Sequence, residues 1–89
     1  MRAILARGTP NLEALYLFYA HVTDAGVKEL AALKNIGVLD LSHTQVTDAG
    51  LKELAALKSL QSLNLGNTKV TDEGVEKLQK VLRGCRITR

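Results

Sequence analysis

Between Ile36 and Ser59 the chain reads IGVLDLSHTQVTDAGLKELAALKS. The first part, Leu39-Asp40-Leu41, alternates apolar and polar residues, the pattern of a strand with one buried face. The second part, Asp48 to Leu57, sets Leu51, Leu54 and Leu57 at helical spacing and turns Lys52, Glu53 and Lys58 away from them. One strand and one helix cannot enclose their own leucines. Stacked copies can, because each shields its neighbour's flank. The flanking sequence supplies those copies. Leu15, Leu39 and Leu63 recur every 24 residues, as do Leu17, Leu41 and Leu65, and Asp24, Asp48 and Asp72. Gly26, Gly50 and Gly74 keep the same step. His21–Asn35 and Gln45–Ser59 differ at three of fifteen positions. A fixed period of this size marks a stacked-repeat architecture.

Working outward, residues 12–35 form repeat one, 36–59 repeat two and 60–84 repeat three, all in one domain. Strands are expected near Ala14–Phe18, Val38–Leu41 and Ser62–Leu65, and helices near Asp24–Leu33, Asp48–Leu57 and Asp72–Leu82. A closing strand, Cys85–Thr88, puts Ile87 in register with Leu63, with Gly84 as the helix C-cap glycine. Residues 1–11 align with the helical half of a unit and form a partial N-terminal unit. Arg2–Arg7 is expected as a short helix that Thr9-Pro10-Asn11 breaks. Thr23-Asp24, Thr47-Asp48 and Thr71-Asp72 precede the helices, where either residue can cap the first turn. Strands joined by helices must run parallel. The expected architecture is an α/β solenoid with a single curved sheet of about four parallel strands. Helices cover its outer side, and the other face is left for a partner.

Composition narrows the functions. The chain has 89 residues, 46% hydrophobic and 24% charged, as in a soluble globule. No apolar run approaches the roughly 20 residues that cross a bilayer, so no membrane partner is expected. The amino terminus lacks the apolar length of a signal peptide. One cysteine excludes an internal disulfide and fits a reducing compartment, so a cytoplasmic location is expected. The net charge of +3 is modest, with Lys80, Arg83, Arg86 and Arg89 gathered at the carboxyl end. No aromatic interleaves with that cluster, and no nucleic-acid partner is expected.

The copies LEALYLFYAHVTDAGVKEL, IGVLDLSHTQVTDAGLKEL and LQSLNLGNTKVTDEGVEKL resemble the leucine-rich repeat, whose general pattern is LxxLxLxx(N/C)xL. The T-D-x-G-L/V segment is similar to the cysteine-containing or ribonuclease-inhibitor-like subtype, found in F-box-type substrate receptors and many bacterial repeat proteins. The closing CRIT resembles the terminal strand of those bacterial proteins. The resemblance covers nearly everything from Leu12 on. It implies a right-handed solenoid with helices on the convex side and protein recognition on the concave sheet. Ala20 departs from it, standing where Thr44 and Thr68 carry a hydroxyl.

With positions 15 and 17 of each unit inward, 14, 16 and 18 point to the concave face. Three columns follow: Ala14, Val38, Ser62 and Arg86; Tyr16, Asp40, Asn64 and Thr88; and Phe18, Ser42 and Gly66. The rim beside them carries Tyr19, His43 and Asn67. All three aromatics, Tyr16, Phe18 and Tyr19, fall within four residues, and exposed aromatics concentrate at binding hot spots. The expected contact residues are Tyr16, Phe18, Tyr19, Asp40, Ser42, His43, Asn64 and Asn67, facing a protein or peptide. The rings could instead cover a ragged first repeat or mediate a homodimer.

No catalytic, metal or cofactor site is expected. His21 and His43 lack further ligands at metal spacing and read as loop residues. Asp24, Asp48 and Asp72 form a ladder rather than the dense acidic loop that calcium needs, and read as helix caps. Cys85 has no base near it in sequence and reads as a half-buried residue of the closing strand. Lys28, Glu29, Lys52, Glu53, Glu76 and Lys77 read as a solvated helix face. The function expected is therefore a non-catalytic protein-interaction module. The alternative is a structural cap or fragment of a longer solenoid that self-associates through its N-terminal end.

Overall fold

A computed structural model describes residues 4–9, 12–33 and 35–89. The elements, in chain order, are β1 (Ile4–Thr9), β2 (Leu12–Tyr16), α1 (Asp24–Leu30), β3 (Ile36–Asp40), α2 (Asp48–Leu54), β4 (Ser62–Asn64), α3 (Asp72–Val81) and β5 (Arg86–Thr88). They build one open sheet in the order β1-β2-β3-β4-β5. Strands β2 to β5 are parallel, and the 24-residue period sets their register. Leu15 pairs with Leu39, Leu39 with Leu63, and Leu63 with Ile87. Helices α1, α2 and α3 pack side by side in a second layer.

The core lies between the two layers. Leu39 and Leu63 from the strands, and Leu17, Leu41 and Leu65 just after them, are at most 1% exposed. They pack with Val27, Leu30, Leu51, Leu54 and Leu78 from the helices. Val22, Val46 and Val70, just ahead of each helix, close the same cluster. Each leucine meets its counterparts in the flanking units, so truncating a central one such as Leu39 to Ala should cost about 2–5 kcal/mol. The other sheet face carries the half-exposed Tyr16, Val38, Asp40, Ser62 and Asn64 and the exposed Arg86 and Thr88.

Two sequence expectations need correction. Residues Ile4–Thr9 form strand β1, not a helix, and β1 runs antiparallel to β2, with Ile4 opposite Tyr16 and Ala6 opposite Ala14. The edge of β2 would otherwise offer a row of unpaired N–H and C=O groups. Pairing satisfies those groups, and this outweighs the weak helical preference of six residues. The register shifts between Arg7 and Thr9, making Gly8 the extra residue of a bulge. Arg2 and Ala3 lie outside the described residues. The second correction concerns Gly84. No described glycine has a positive φ, so Gly84 is not a left-handed C-cap. The Gln79 side chain covers the end of α3 instead, with Nε2 donating to the Leu82 carbonyl at 2.9 Å.

Among the described residues no helix is long and apolar enough to cross a membrane. A groove of about 480 Å³ opens between α2 and α3. Leu51, Ala55, Leu78 and Val81 line its floor, and Lys52, Glu73 and Lys77 its rim. It lies on the helical layer, away from the aromatic residues of the sheet.

Candidate functional site

Each parallel strand ends in a turn, and the turn determines what the rim displays. Asp40 Oδ1 accepts from the Ser42 N–H at 2.9 Å and from the Ser42 hydroxyl at 2.6 Å. Asn64 Oδ1 accepts from the Gly66 N–H at 2.9 Å. These local bonds bend the chain off the sheet. Thr44 and Thr68 donate their hydroxyls back to the carbonyls of Leu41 and Leu65, at 2.6 and 2.7 Å. Ala20 has no hydroxyl, and in the first turn the Leu17 carbonyl accepts only a backbone bond, from the Ala20 N–H at 3.0 Å.

The next residue of each turn is Tyr19, His43 or Asn67, and all three sit in the left-handed region, with φ of 60°, 58° and 55°. Asparagine and histidine are enriched in this conformation, but tyrosine adopts it at a cost. Backbone bonds hold them there: Tyr19 N–H donates to the Ser42 carbonyl at 3.1 Å and His43 N–H to the Gly66 carbonyl at 2.8 Å. The left-handed turn throws the three side chains outward in a row. The Tyr19 and His43 rings stack with centroids 4.1 Å apart and planes within 8°. Asn67 Nδ2 stands 3.4 Å from His43 Nε2, within reach of the ring nitrogen when Nε2 is unprotonated. Phe18 meets Tyr19 edge to face, with centroids 6.5 Å apart. Phe18 is 47% and Tyr19 71% exposed. Strained backbone that presents exposed rings is a recurrent mark of recognition surfaces.

The eight expected contact residues thus divide by what they touch. Tyr16, Phe18, Tyr19, His43 and Asn67 lie around one end of the sheet and keep faces or edges free. Asp40 and Asn64 spend a carboxylate or amide oxygen on their own turns. Ser42 is 8% exposed and donates its hydroxyl to Asp40.

The aspartate ladder does something that the sequence reading missed. Thr47 and Thr71, not the aspartates, cap α2 and α3: Thr47 Oγ1 accepts from the Ala49 N–H at 3.3 Å and Thr71 Oγ1 from the Gly74 N–H at 3.1 Å, while Thr23 makes no side-chain cap bond to α1. The aspartates instead reach across to the following unit. Asp24 accepts from the Thr47 N–H at 2.8 Å and hydroxyl at 2.6 Å. Asp48 accepts from the Thr71 N–H at 2.8 Å and hydroxyl at 2.5 Å. These bonds, the Thr71 hydroxyl first, hold the Asp48 carboxyl below its ordinary range, with smaller help from Arg89 and Lys77. The glycine of the next unit leaves room for each carboxylate. A Cβ at Gly50 would stand 2.5 Å from Asp24 Oδ1, and one at Gly74 2.5 Å from Asp48 Cγ. The exact recurrence of T-D-x-G was the available signal, but a local cap and a tie between units call for the same residue types.

Cys85 is 4% exposed, and burial pushes its thiol up, which disfavours the reactive thiolate. It is more deeply buried than expected and lies just ahead of β5. His21 is exposed. Among the described residues no group of three or more His, Cys, Asp or Glu is placed to hold a metal ion.

A family model described as Leucine Rich repeats (2 copies) matches residues 35–80, and one described as Leucine Rich repeat matches residues 9–31. No curated protein matches the chain. The chain belongs to the leucine-rich repeat family, whose repeats commonly mediate protein–protein interaction and typically serve as non-enzymatic modules.

Proposed function

We propose that this chain is a non-catalytic recognition module whose contact surface is the aromatic end of the sheet. Tyr19, His43 and Asn67 form its spine, with Phe18 and Tyr16 beside them. The observation that carries this reading is the row of three left-handed residues, one per unit, with the Tyr19 and His43 rings stacked and Asn67 beside His43. Tyr19 is a residue type that this backbone conformation disfavours, which gives it a reason to be there other than the turn. Rings already ordered against each other lose little freedom on binding, so their contact energy is not spent on ordering. Asp40, Ser42 and Asn64 act from behind by fixing the turns, and the fitting partner is a protein or peptide that lays an apolar or aromatic side chain across the Tyr19–His43 pair.

Self-association through the first repeat is the second reading, and the exposure of Phe18 and Tyr19 favours it. It has less to work with, because β1 already pairs with the edge of β2. One comparison separates the two. Wild type and a Phe18→Ser/Tyr19→Ser variant are used as baits, with Lys52→Glu on the helical layer as control, and each is sedimented over a concentration series. The recognition reading expects a captured protein that the rim variant loses and Lys52→Glu keeps, with sedimentation unchanged. A captured set identical for the wild type and the rim variant would sink it. A wild-type dimer that the rim variant dissociates would establish the second reading.

A further inference from the structure

The sheet face opposite the core carries a column that crosses the parallel strands: Tyr16, Asp40, Asn64 and Thr88, each paired with the next. Residues paired in this way stand about 4.8 Å apart with their side chains on one face. Asp40 and Asn64 do the same local job. Asn64 Oδ1 accepts from the Gly66 N–H, and Asp40 Oδ1 accepts from the Ser42 N–H, each two residues on. The Ser42 hydroxyl bonds the same Oδ1. A neutral amide therefore suffices for this turn. In the first unit the turn reaches the same left-handed residue, Tyr19, with a tyrosine in place of the acceptor.

The carboxylate at position 40 thus brings a negative charge and a second oxygen that the turn does not use. Among the described residues Asp40 Oδ2 accepts no hydrogen bond and Asp40 makes no ion pair. Arg86, the charged residue of the neighbouring column, lies two strands away, about 10 Å across the sheet and beyond pairing distance. On the adjacent strand Tyr16 is half-exposed. Its hydroxyl has no partner among the described residues, and its ring stacks on no other. A free carboxylate oxygen one strand from an open ring is complementary to a cation. A guanidinium or ammonium gains a charge-assisted bond from the oxygen and a second attraction from the ring face. Arginine suits the pair best, because its plane stacks on an aromatic ring while its forked donors reach past the edge.

We propose that the partner of this surface presents a basic side chain, arginine above all, which lies against Tyr16 and bonds Asp40 Oδ2. The inference rests on the recognition reading above and names the partner's chemistry: an apolar or aromatic side chain crosses the Tyr19–His43 pair, and a cation beside it lies over the sheet. Asp40 then serves twice, with Oδ1 for the turn and Oδ2 for the partner.

Capped peptides test this on the full chain. The probes are acetyl-Phe-Gly-Arg-amide and the same peptide with citrulline, which keeps the planar donors and loses the charge. The glycine spacer lets both side chains fall on one face of an extended peptide. Amide NMR shifts of the protein report the affinity and the place. The arginine peptide should bind about fivefold more tightly than the citrulline peptide, the joint effect of an exposed ion pair and a cation on a ring. Asp40→Asn keeps the turn acceptor, as Asn64 does in the next unit, and should bring the two peptides within about twofold of each other. Equal binding of both peptides by the wild type, no binding of either, or an arginine preference that Asp40→Asn retains overturns the proposal. The recognition reading is judged separately, in the Phe18→Ser/Tyr19→Ser variant. If both peptides bind the wild type equally but lose affinity in that variant, the rim stands and the basic partner falls. If the arginine preference and affinity persist in that variant, the Tyr16–Asp40 pair stands and the rim falls.

Discussion

Replacing the three helical glycines by alanine, one at a time, should move stability in opposite directions. Gly26, Gly50 and Gly74 occupy the same place in α1, α2 and α3, so propensity alone predicts the same gain at each. For a glycine in the first turn that gain is about 0.5 kcal/mol, the lower end of the helical range. The surroundings differ. At Gly26 a Cβ meets only Val22 Cγ1, at 3.5 Å, an ordinary contact. At Gly50 it falls 2.5 Å from Asp24 Oδ1 and 3.1 Å from Val46 Cγ1. At Gly74 it falls into the Asp48 carboxylate, 2.8 Å from Oδ2. There the carboxylate must retreat and release the Thr71 N–H and hydroxyl. Two charge-assisted bonds in a half-exposed setting contribute about 1.5–3 kcal/mol after solvent screening. Net of the propensity gain, Gly50→Ala and Gly74→Ala should each cost about 1–2.5 kcal/mol, or about 5–15 °C in Tm for a domain of this size. Gly26→Ala should gain about 0.5 kcal/mol. Urea unfolding followed by far-ultraviolet circular dichroism reads all three. A double-mutant cycle isolates the cause: in an Asp48→Ala background, Gly74→Ala should become neutral or stabilising. The reasoning fails if all three substitutions shift stability alike, or if the cost at Gly74 survives removal of the Asp48 carboxylate.

The same tie has a pH signature. The Asp48 carboxyl is held below its ordinary value, so its contribution is fully present above the unfolded pKa of about 3.9 and is lost as pH falls through the lower folded value. Thr71→Val, which removes the hydroxyl that is the main cause, should raise the Asp48 midpoint in a carboxyl NMR titration; an unmoved midpoint would assign the lowering to other charges. Thr44→Val should cost about 1–2 kcal/mol in urea unfolding, because it strips the hydroxyl bond to the Leu41 carbonyl at a site 7% exposed. At the rim, His43→Asn should leave stability within about 1 kcal/mol of wild type, since relief of the left-handed backbone offsets the lost ring stack. It should nevertheless weaken capture of a partner several-fold, and undiminished capture would remove His43 from the contact surface.

What could be read in advance follows from where the information lies. The strands, helices and core of the three units were legible because Leu15, Leu39 and Leu63 and their companions repeat in phase, and each unit buries the same face against its neighbours. The rim placement of Tyr19, His43 and Asn67 followed from the same count. Strand β1 was not legible, because Ile4–Thr9 carries no alternation of its own and takes its conformation from the unpaired edge of β2, a partner distant in kind rather than in sequence. Nor was the direction in which Asp24 and Asp48 point, because helix capping would use the same residues within a single unit. The engagement of Ser42 by Asp40 was hidden for a similar reason: a turn two residues long leaves no periodic trace.

The ties from Asp24 to Thr47 and from Asp48 to Thr71 also constrain how such a chain can change in length. Inserting or deleting one whole unit leaves each remaining tie with its carboxylate opposite a threonine and a glycine. Inserting two residues within a unit strands one tie and drives a side chain into the next. Viable length variants should therefore differ by multiples of 24 residues, with growth and shrinkage proceeding in quanta.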